Sequence, residues 1–448
     1  MNVEKATCNT LARTITRQDA NPNTYNPSDD FSYQRGLQTA YLETPPEYFG
    51  IRSSDGSLMN DLFQSISPRY QSMFTDTLEY GLELERKAHT VLNDFVAIRE
   101  KFSDNKMCLL SLERSEKLIY LALMARQSNN DELTDQERQK YADVFTSLSI
   151  ELYGAPDADL ANDIECHGIG NFLSSIDDIR GGVQEYLSDK YPGFFDNLGL
   201  EDDKLYETPS ICHTFNVALD YLKQQDKDWG DWQIVWSEST LIETKPELKQ
   251  IWIGKNRSPE TGAKLKGIIA HELLRHAQSA VNGAKTGDTL MELGMPGYGN
   301  AEEGIAILFD FAITGNISEK AIDRYVNIAA ALGLIRLPDG TTPKLLRSEL
   351  TAKATERSKS RSPNKNETEI ELEIIPQIAR IYQGTPGNQA ISGVYTQGAM
   401  YLNGLIDVCN YIREEIAKGR TVPEIIDYMM RGKFDPNNVN HREYEANL

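Results

Sequence analysis

The first part of the chain passes from a polar, aperiodic beginning to apolar residues at helical spacing. Residues 1–58 are rich in Asn, Asp, Thr, Pro and Gly, a composition typical of an extended or disordered arm. From Leu58 onward the apolar side chains recur as in amphipathic helices, and Thr134-Asp-Gln-Glu137 has the form of a capping box. Residues 59–200 are therefore predicted to form a helical N-terminal region.

Two stretches further on alternate apolar and polar side chains, which is the period of a β-strand. Trp232–Ser237 and Gln250–Gly254 are rich in β-branched and aromatic residues, so each predicts a strand, with a loop through Pro246 between them. A free strand edge just before the next helix could pair with an extended peptide. The small sheet could equally serve only to bury that helix.

The helical period returns after Ser258-Pro259-Glu260, which combines a capping hydroxyl, a proline at the first position and an acid in the first turn. Asn282-Gly283 is predicted to end this helix. Its buried stripe is predicted to be Leu265, Ile268, Ile269, Leu273 and Leu274. The glycine-rich residues 283–299 predict a loop that acts as a mobile lid.

A further helix is predicted from Asn300, as its cap, to Gly315. Gly304 lies inside it at a cost of about 1 kcal/mol relative to Ala, so a close neighbour such as the preceding helix is expected to pack there. Glu303 falls at the third position, where it could be either a capping-box acid or a functional carboxylate.

The remaining pattern is helical with interruptions. Helices are predicted around 318–334 and from Ile370 to Met430, broken at Gly384-Thr-Pro-Gly387. Residues 351–368 are predicted to be an exposed segment or a linker, and residues 435–448 a frayed tail. The chain is thus predicted to be α+β and mostly helical.

Composition limits the partners. The formal net charge is -21, which disfavours nucleic acid and anionic membrane surfaces. The N-terminus has no apolar leader, and no apolar run reaches the roughly 18 residues of a membrane span. Five scattered cysteines are typical of reduced thiols, so a cytoplasmic protein is expected. The sequence leaves the oligomeric state open.

The most informative stretch is His271-Glu272-Leu-Leu-Arg-His276. Histidines four positions apart share one face of a helix, but five positions turn a regular helix through about 500°, a splay of roughly 140°. A π-bulge absorbs one extra residue and would bring both rings together, so a widened turn is predicted between His271 and His276. The alternative is an amphipathic helix with two incidental histidines, in which Glu272 and His276 form a surface pair.

These residues resemble a known family. His-Glu-x-x-x-His, Asn282-Gly283 and Glu302-Glu303-Gly304-Ile305-Ala306 are similar to motifs of the microtubule-associated tyrosine carboxypeptidases and of their bacterial Gln-Glu-Gly-Leu-Ala relatives. The resemblance extends over about residues 60–430, through Leu152–Pro156, Arg380–Pro386 and Tyr401–Gly404. It implies a zinc metallopeptidase catalytic domain over residues 201–434, with a zincin-like core and a small sheet beside the metal-binding helix. The chain departs from the family at Arg275 and Ser279, which puts substrate preference in doubt.

The resemblance also suggests which residues carry out the chemistry. His271 and His276 would bind Zn²⁺ with one downstream glutamate, leaving a position for water. The bacterial relatives have glutamine at the first motif position, so Glu303 is the expected third ligand and Glu302 is expected to orient a histidine. Glu272 is the expected general base.

The other candidates carry less specific signals. Tyr298 and Tyr401 are candidate donors to the oxyanion of a tetrahedral intermediate. Arg380 and Arg275 are candidates for binding a substrate C-terminal carboxylate, although both could be ordinary structural arginines.

Three hypotheses follow. The first is a zinc carboxypeptidase that removes a C-terminal residue, an aromatic one being a candidate, from a peptide or protein substrate. The second is a zinc endopeptidase or another zinc hydrolase on the same site. The third is a non-catalytic interaction protein whose site is degenerate because Arg275 disables the metal.

Overall fold

The computed structural model describes residues 106–361 and 365–448. The predicted arm over 1–58, the helical pattern up to residue 105 and three residues of the predicted linker lie outside these ranges. The described chain forms two compact units: the first contains His167–Glu319 and Met400–Leu448, and the second contains residues 106–166 and Lys320–Ala399. The predicted catalytic domain, 201–434, therefore contributes residues to both units.

The described part of the chain is mostly helical with small sheets, which confirms the α+β prediction. The strands are β1 Leu205–Tyr206, β2 Gln233–Ser237, β3 Ile242–Lys245, β4 Gln250–Gly254 and β5 Glu260–Thr261. The helices are α1 Lys106–Ser128, α2 Asp135–Tyr153, α3 Ala158–His167, α4 Gly170–Lys190, α5 Phe194–Asn197, α6 Thr208–Gln225, α7 Gly262–Ile269, α8 Gln278–Lys285, α9 Thr289–Leu293, α10 Gly299–Thr314, α11 Glu319–Leu332, α12 Arg347–Arg361, α13 Glu367–Ile381, α14 Met400–Ala417, α15 Val422–Met429 and α16 Val439–Glu445.

The larger sheet has the order β2-β4-β3, with β2 parallel and β3 antiparallel to β4. Both predicted strands are present, but the loop predicted between them was wrong, because Ile242–Lys245 forms a third strand before Pro246. As a result β4, the strand before the histidine-bearing helix, is paired on both sides. The edge next to that helix belongs instead to β3.

The helix that carries the histidines begins later than predicted. Glu260 and Thr261 pair with Tyr206 and Leu205 as a two-stranded ladder, so the Ser258 start was wrong. Thr261 is the N-cap, and its hydroxyl accepts a hydrogen bond from the backbone N–H of Lys264. The predicted buried stripe is present, except that Ile268 is only half-buried.

The same helix also ends later than predicted, at Lys285. A side chain at Gly283 would place its Cβ 2.0 Å from the carbonyl oxygen of Met291. This glycine is therefore needed for close packing against α9 and does not end the helix.

The predicted lid is not a continuous loop, because α9 lies inside it. Asp288 caps this helix by accepting from the backbone N–H groups of Leu290 and Met291. Leu290, Met291 and Met295 are buried. These apolar anchors attach the glycine-rich stretch to the first unit.

Helix α10 begins after Tyr298, so the prediction of Asn300 as the cap was wrong. Gly304 does pack closely, but against α14: a Cβ at Gly304 would lie 2.2 Å from the backbone of Gly404, and one at Gly404 would lie 1.9 Å from the carbonyl oxygen of Asn300. Because two glycines face each other, the backbones of α10 and α14 lie in contact. Glu303 therefore stands on a helix that is held firmly from behind.

In the second unit, the capping box predicted at Thr134 and Glu137 is present. The predicted linker was wrong, since residues up to Arg361 belong to helix α12, which buries Leu350 and Ala354. Two of the basic residues in this stretch, Lys353 and Arg357, are partly buried, and both pair with Glu165.

The C-terminal segment is not a frayed tail. Helix α16 buries His441, whose Nδ1 accepts from the backbone N–H of Asp435. Tyr444 donates to Asp288, 2.7 Å away. Among the described residues, no helix has both the length and the apolar character needed to cross a membrane.

Candidate metal centre

A widened turn joins α7 to α8, as the histidine spacing predicts. Residues Ala270–Ala277 are π-helical, which confirms the predicted irregularity. The ring centroids of His271 and His276 lie 4.8 Å apart. Leu273 and Leu274, between them, are fully buried, so the widened turn keeps the apolar stripe in the core while both imidazoles share one face.

Glu303 of α10 meets these two rings. Its Oε2 lies 3.7 Å from His271 Nε2 and 3.8 Å from His276 Nε2. One ligand atom from each of the three side chains lies within 4.8 Å of the others, and all three are half-buried. Two imidazole nitrogens and one carboxylate oxygen at this spacing could hold a metal ion.

Glu302, the residue before Glu303 in the sequence, points away from the candidate metal-binding face and contacts a buried group of hydrogen-bond donors. Its Oε1 lies 2.8 Å from His276 Nδ1 and 2.6 Å from Lys433 Nζ, and its Oε2 lies 2.5 Å from Arg275 Nη2. Ser279 adds a longer contact of 3.4 Å. The predicted contact between Glu302 and a histidine is therefore present. An ionised Glu302 favours a proton on Nδ1, so that Nε2 is the nitrogen directed to Glu303.

The charge of Glu302 follows from these neighbours. Burial alone would raise the pKa of this carboxyl, but Arg275, Lys433 and His276 outweigh burial and hold the pKa well below its usual range. Glu302 is therefore a permanent anion at neutral pH.

Glu272, the expected base, lies on the same widened turn. Thr244 of β3 donates its hydroxyl to Glu272 Oε2 at 2.7 Å. Burial raises the pKa of Glu272, although His276 and Thr244 oppose the shift. A raised pKa brings a carboxylate closer to the range in which it can accept and return a proton.

The two histidines differ in the direction of their pKa shifts. Burial would lower the pKa of His276, but the carboxylates of Glu303 and Glu302 outweigh burial and raise it. Burial, and then the neighbouring His276, lower the pKa of His271 to about 3, so this ring is neutral at physiological pH. Neutral imidazole is the form that binds a metal ion. Burial also raises the pKa of Glu303, although the neighbouring His276 opposes the shift.

Neither of the two arginines predicted to bind a substrate carboxylate belongs to the group formed by His271, His276 and Glu303. Arg275 is fully buried, and its guanidinium contacts Glu302 and the carbonyl oxygen of Met429. A substrate carboxylate cannot reach a group so enclosed, so the substrate-binding prediction for Arg275 was wrong. Arg380 lies exposed at the end of α13, in the second unit.

The candidate tyrosines belong to helix starts. Tyr298 precedes α10, with its ring against Gly294 and 5.7 Å from Lys433 Nζ. Tyr401 lies in the first turn of α14, the helix that packs on α10. The oxyanion role of both residues stays a prediction.

Sequence reasoning missed Thr244 and Lys433. Thr244 lies in the strand that was read as a loop, and Lys433 is separated from Glu302 by 131 positions. The two departures from the family pattern could have given a signal, because Arg275 and Ser279 both contact Glu302.

These observations define a class: a helix-rich α+β protein whose first unit contains a His-His-Glu cluster that could hold a metal ion. Comparison of the chain with protein-family models, curated proteins and solved structures found no match.

Proposed function

We propose that this protein is a zinc metallopeptidase, most simply a carboxypeptidase of the kind its motifs resemble, built on a zincin-like core. The observation that carries the proposal is the convergence of His271, His276 and Glu303 on one face through the widened turn. Two histidines and a glutamate, with one position left for water, are the ligand set of many zinc peptidases. His271, His276 and Glu303 would hold the ion.

The side chains around the cluster fit peptide hydrolysis. A bound zinc ion would lower the pKa of a water molecule and polarise the scissile carbonyl. Glu272, oriented by Thr244, would accept the proton of the attacking water and deliver it to the leaving amine. Glu302 would keep His276 in the tautomer that presents Nε2.

The free edge of β3 suggests how an extended substrate is held. Within the part of the chain that the structure describes, β3 pairs with β4 alone, and its Thr244 contacts the expected base. A peptide that adds to this edge by main-chain hydrogen bonds would run beside Glu272.

One observation favours the endopeptidase as a second candidate. A carboxypeptidase must bind the terminal carboxylate of its substrate, and Arg275 is already committed to Glu302. Strand addition to β3 has no such requirement. The third hypothesis, a non-catalytic protein, assumed that Arg275 disables the metal site. The guanidinium of Arg275 instead contacts Glu302 and does not occupy the place of a ligand, which speaks against that hypothesis.

A cytoplasmic location is part of the proposal. Cys166, Cys212 and Cys409 are unpaired thiols, as is usual in a reducing compartment.

The test is substitution of the expected base. Glu272→Gln should reduce peptide hydrolysis by about 10²–10⁴-fold, the usual contribution of acid–base catalysis, while one zinc ion per chain is retained. Glu292→Gln, a glutamate on α9 outside the cluster, is the matched control and should keep full activity. A folded wild-type protein that binds no zinc, or a Glu272→Gln variant with unchanged hydrolysis, would contradict the proposal.

Peptides with free and amidated C-termini separate the two candidates. A carboxypeptidase should lose its activity on the amidated peptide, whereas an endopeptidase should cleave both peptides equally. Mass spectrometry of the products also identifies the bond that is cut.

A further inference from the structure

Two basic side chains lie completely buried behind the metal centre. Arg275 is 0% exposed and Lys433 is 2% exposed. Neither would bind the metal ion or move a proton in the proposed reaction. Burying a charged group is costly unless it is paired, and both of these groups are paired with the same carboxylate, Glu302.

The two cations contact different oxygens of that carboxylate. Arg275 Nη2 donates to Oε2, and Lys433 Nζ donates to Oε1, which also lies 2.8 Å from His276 Nδ1. A glutamate side chain has several rotatable bonds, and a single donor would leave its plane free to turn. Donors on both oxygens remove that freedom, and with it the freedom of the histidine ring attached to Oε1.

Lys433 is itself fixed by its backbone. Its N–H donates to the carbonyl oxygen of Met291 at 2.8 Å, and its carbonyl oxygen accepts from the N–H of Met295 at 2.9 Å. Asn282 of α8 donates to the carbonyl oxygen of Met430 at 2.7 Å. The lysine therefore comes from a segment held on both sides, which makes it suitable for setting the position of another group.

We propose that Arg275 and Lys433 are positioning residues for the ligand His276: by anchoring both oxygens of Glu302, they fix the acceptor of the His276 Nδ1–H, so that Nε2 faces His271 and Glu303. This inference rests on the proposed metal centre, because it assigns His276 a ligand role. It makes the orientation of one imidazole depend on two side chains that touch neither metal nor substrate.

The experiment compares removal of the donors with their conservative replacement. Arg275→Met and Lys433→Met remove the anchoring groups but keep apolar length, whereas Arg275→Lys and Lys433→Arg keep a charged donor. Lys285→Met, on α8 and paired with Asp226, is the control for loss of a lysine. Metal-free protein with ¹⁵N-labelled histidine shows by NMR which nitrogen of His276 carries the proton, and competition with a chelator gives the affinity for added Zn²⁺.

Both Met variants should show a mixture of His276 tautomers and bind zinc about 10–100-fold more weakly, the usual effect of losing a partner of a metal ligand. The conservative variants and Lys285→Met should retain the Nδ1–H tautomer. Their zinc affinity should stay within about threefold of wild type, well below the loss expected for the Met variants. If one Met variant does not fold, the other gives the same comparison, since each residue anchors a different oxygen.

Met variants with the wild-type tautomer and zinc affinity, whatever their thermal stability, would overturn the inference and leave only a packing role. Conservative variants as impaired as the Met variants would overturn it as well. A wild-type protein with the Nδ1–H tautomer that binds no zinc would instead refute the proposed function. The ligand role of His276 would fall with it, and the tautomer comparison would then show only whether the two cations orient this ring.

Discussion

Glu302 and Glu303 are neighbours in sequence and stand on the same helix, yet their side chains lie in opposite surroundings. Glu302 contacts two buried cations, which outweigh burial and hold its pKa far below the usual range. Glu303 faces two imidazoles, and burial there raises its pKa. Two identical residues one position apart thus have different electrostatic roles.

The difference shows what each carboxylate stabilises. The charge of Glu302 is already balanced within the protein, so it stabilises the fold and orients His276. Glu303 instead lies 3.7 and 3.8 Å from the two imidazoles. A metal cation bound among these three side chains would therefore balance its charge. Each of the following tests acts on one side of this contrast.

The largest expected effect is on the metal-facing side. Glu303→Gln should weaken zinc binding by more than about 100-fold, beyond the range seen when only an outer partner of a ligand is lost. The stability of the metal-free protein should not fall, because a half-buried carboxylate whose pKa is raised by burial is replaced by a neutral amide. Chelator competition and thermal unfolding in the absence of zinc measure the two quantities, and reduced metal-free stability would contradict the contrast.

The matched change on the other side is Glu302→Gln. It leaves Arg275 and Lys433 buried without an anion, so the free energy of unfolding should fall by about 3–5 kcal/mol in the metal-free protein. Urea unfolding of the two glutamine variants side by side provides the measurement. Equal stability of the two variants would show that the difference between the carboxylates has been misjudged.

A third carboxylate on the same helix extends the comparison. Burial raises the pKa of Asp310 to about 6, against the opposing hydroxyl of Thr314. Because its pKa is raised in the folded state, the folded protein holds this proton more tightly than the unfolded chain, and stability falls as the pH rises from about 4 to about 6.

Asp310→Asn should therefore stabilise the protein by about 2–3 kcal/mol at pH 8 and have little effect near pH 3.5, since about two pKa units correspond to that energy. Unfolding curves over this pH range test the prediction. A gain that does not depend on pH would mean that the substitution acts through packing against Gly267, whose Cβ would lie 2.0 Å from Asp310 Oδ1.

The smallest expected effect concerns the orientation of the base. Thr244→Val removes the hydroxyl that donates to Glu272 but keeps the shape of the side chain. Peptide hydrolysis should fall about 10-fold, the lower range for a hydrogen bond to a charged group, with zinc affinity unchanged. Thr244→Ser should retain most of the activity, because it keeps the donor.

The spacing of the two histidines predicted the widened turn, whereas the long-range contacts behind it could not be predicted from the sequence. Five positions between two histidines leave only one way for both rings to share a face, so the widened turn followed from the sequence. Lys433 could not be found in this way, because no pattern connects it with Glu302 across 131 positions.

The errors in the fold also have physical reasons. Ile242–Lys245 is short and has one apolar residue, so only its pairing with β4 reveals a strand. Gly283 has the residue type of a helix end, but here the missing Cβ makes room for the carbonyl of Met291. A glycine required for close packing and a glycine required for a turn look the same in a sequence.

The pairing of Lys433 with Glu302 has a consequence for the order of folding. The stretch between the two partners includes residues 320–399, which belong to the second unit. That whole stretch must be synthesised before Lys433 can reach its carboxylate, so nascent chains pass through a stage in which both histidines and Glu303 exist while the support behind them is incomplete. A metal ion bound at that stage would be held by His271, His276 and Glu303 before Lys433 pairs with Glu302.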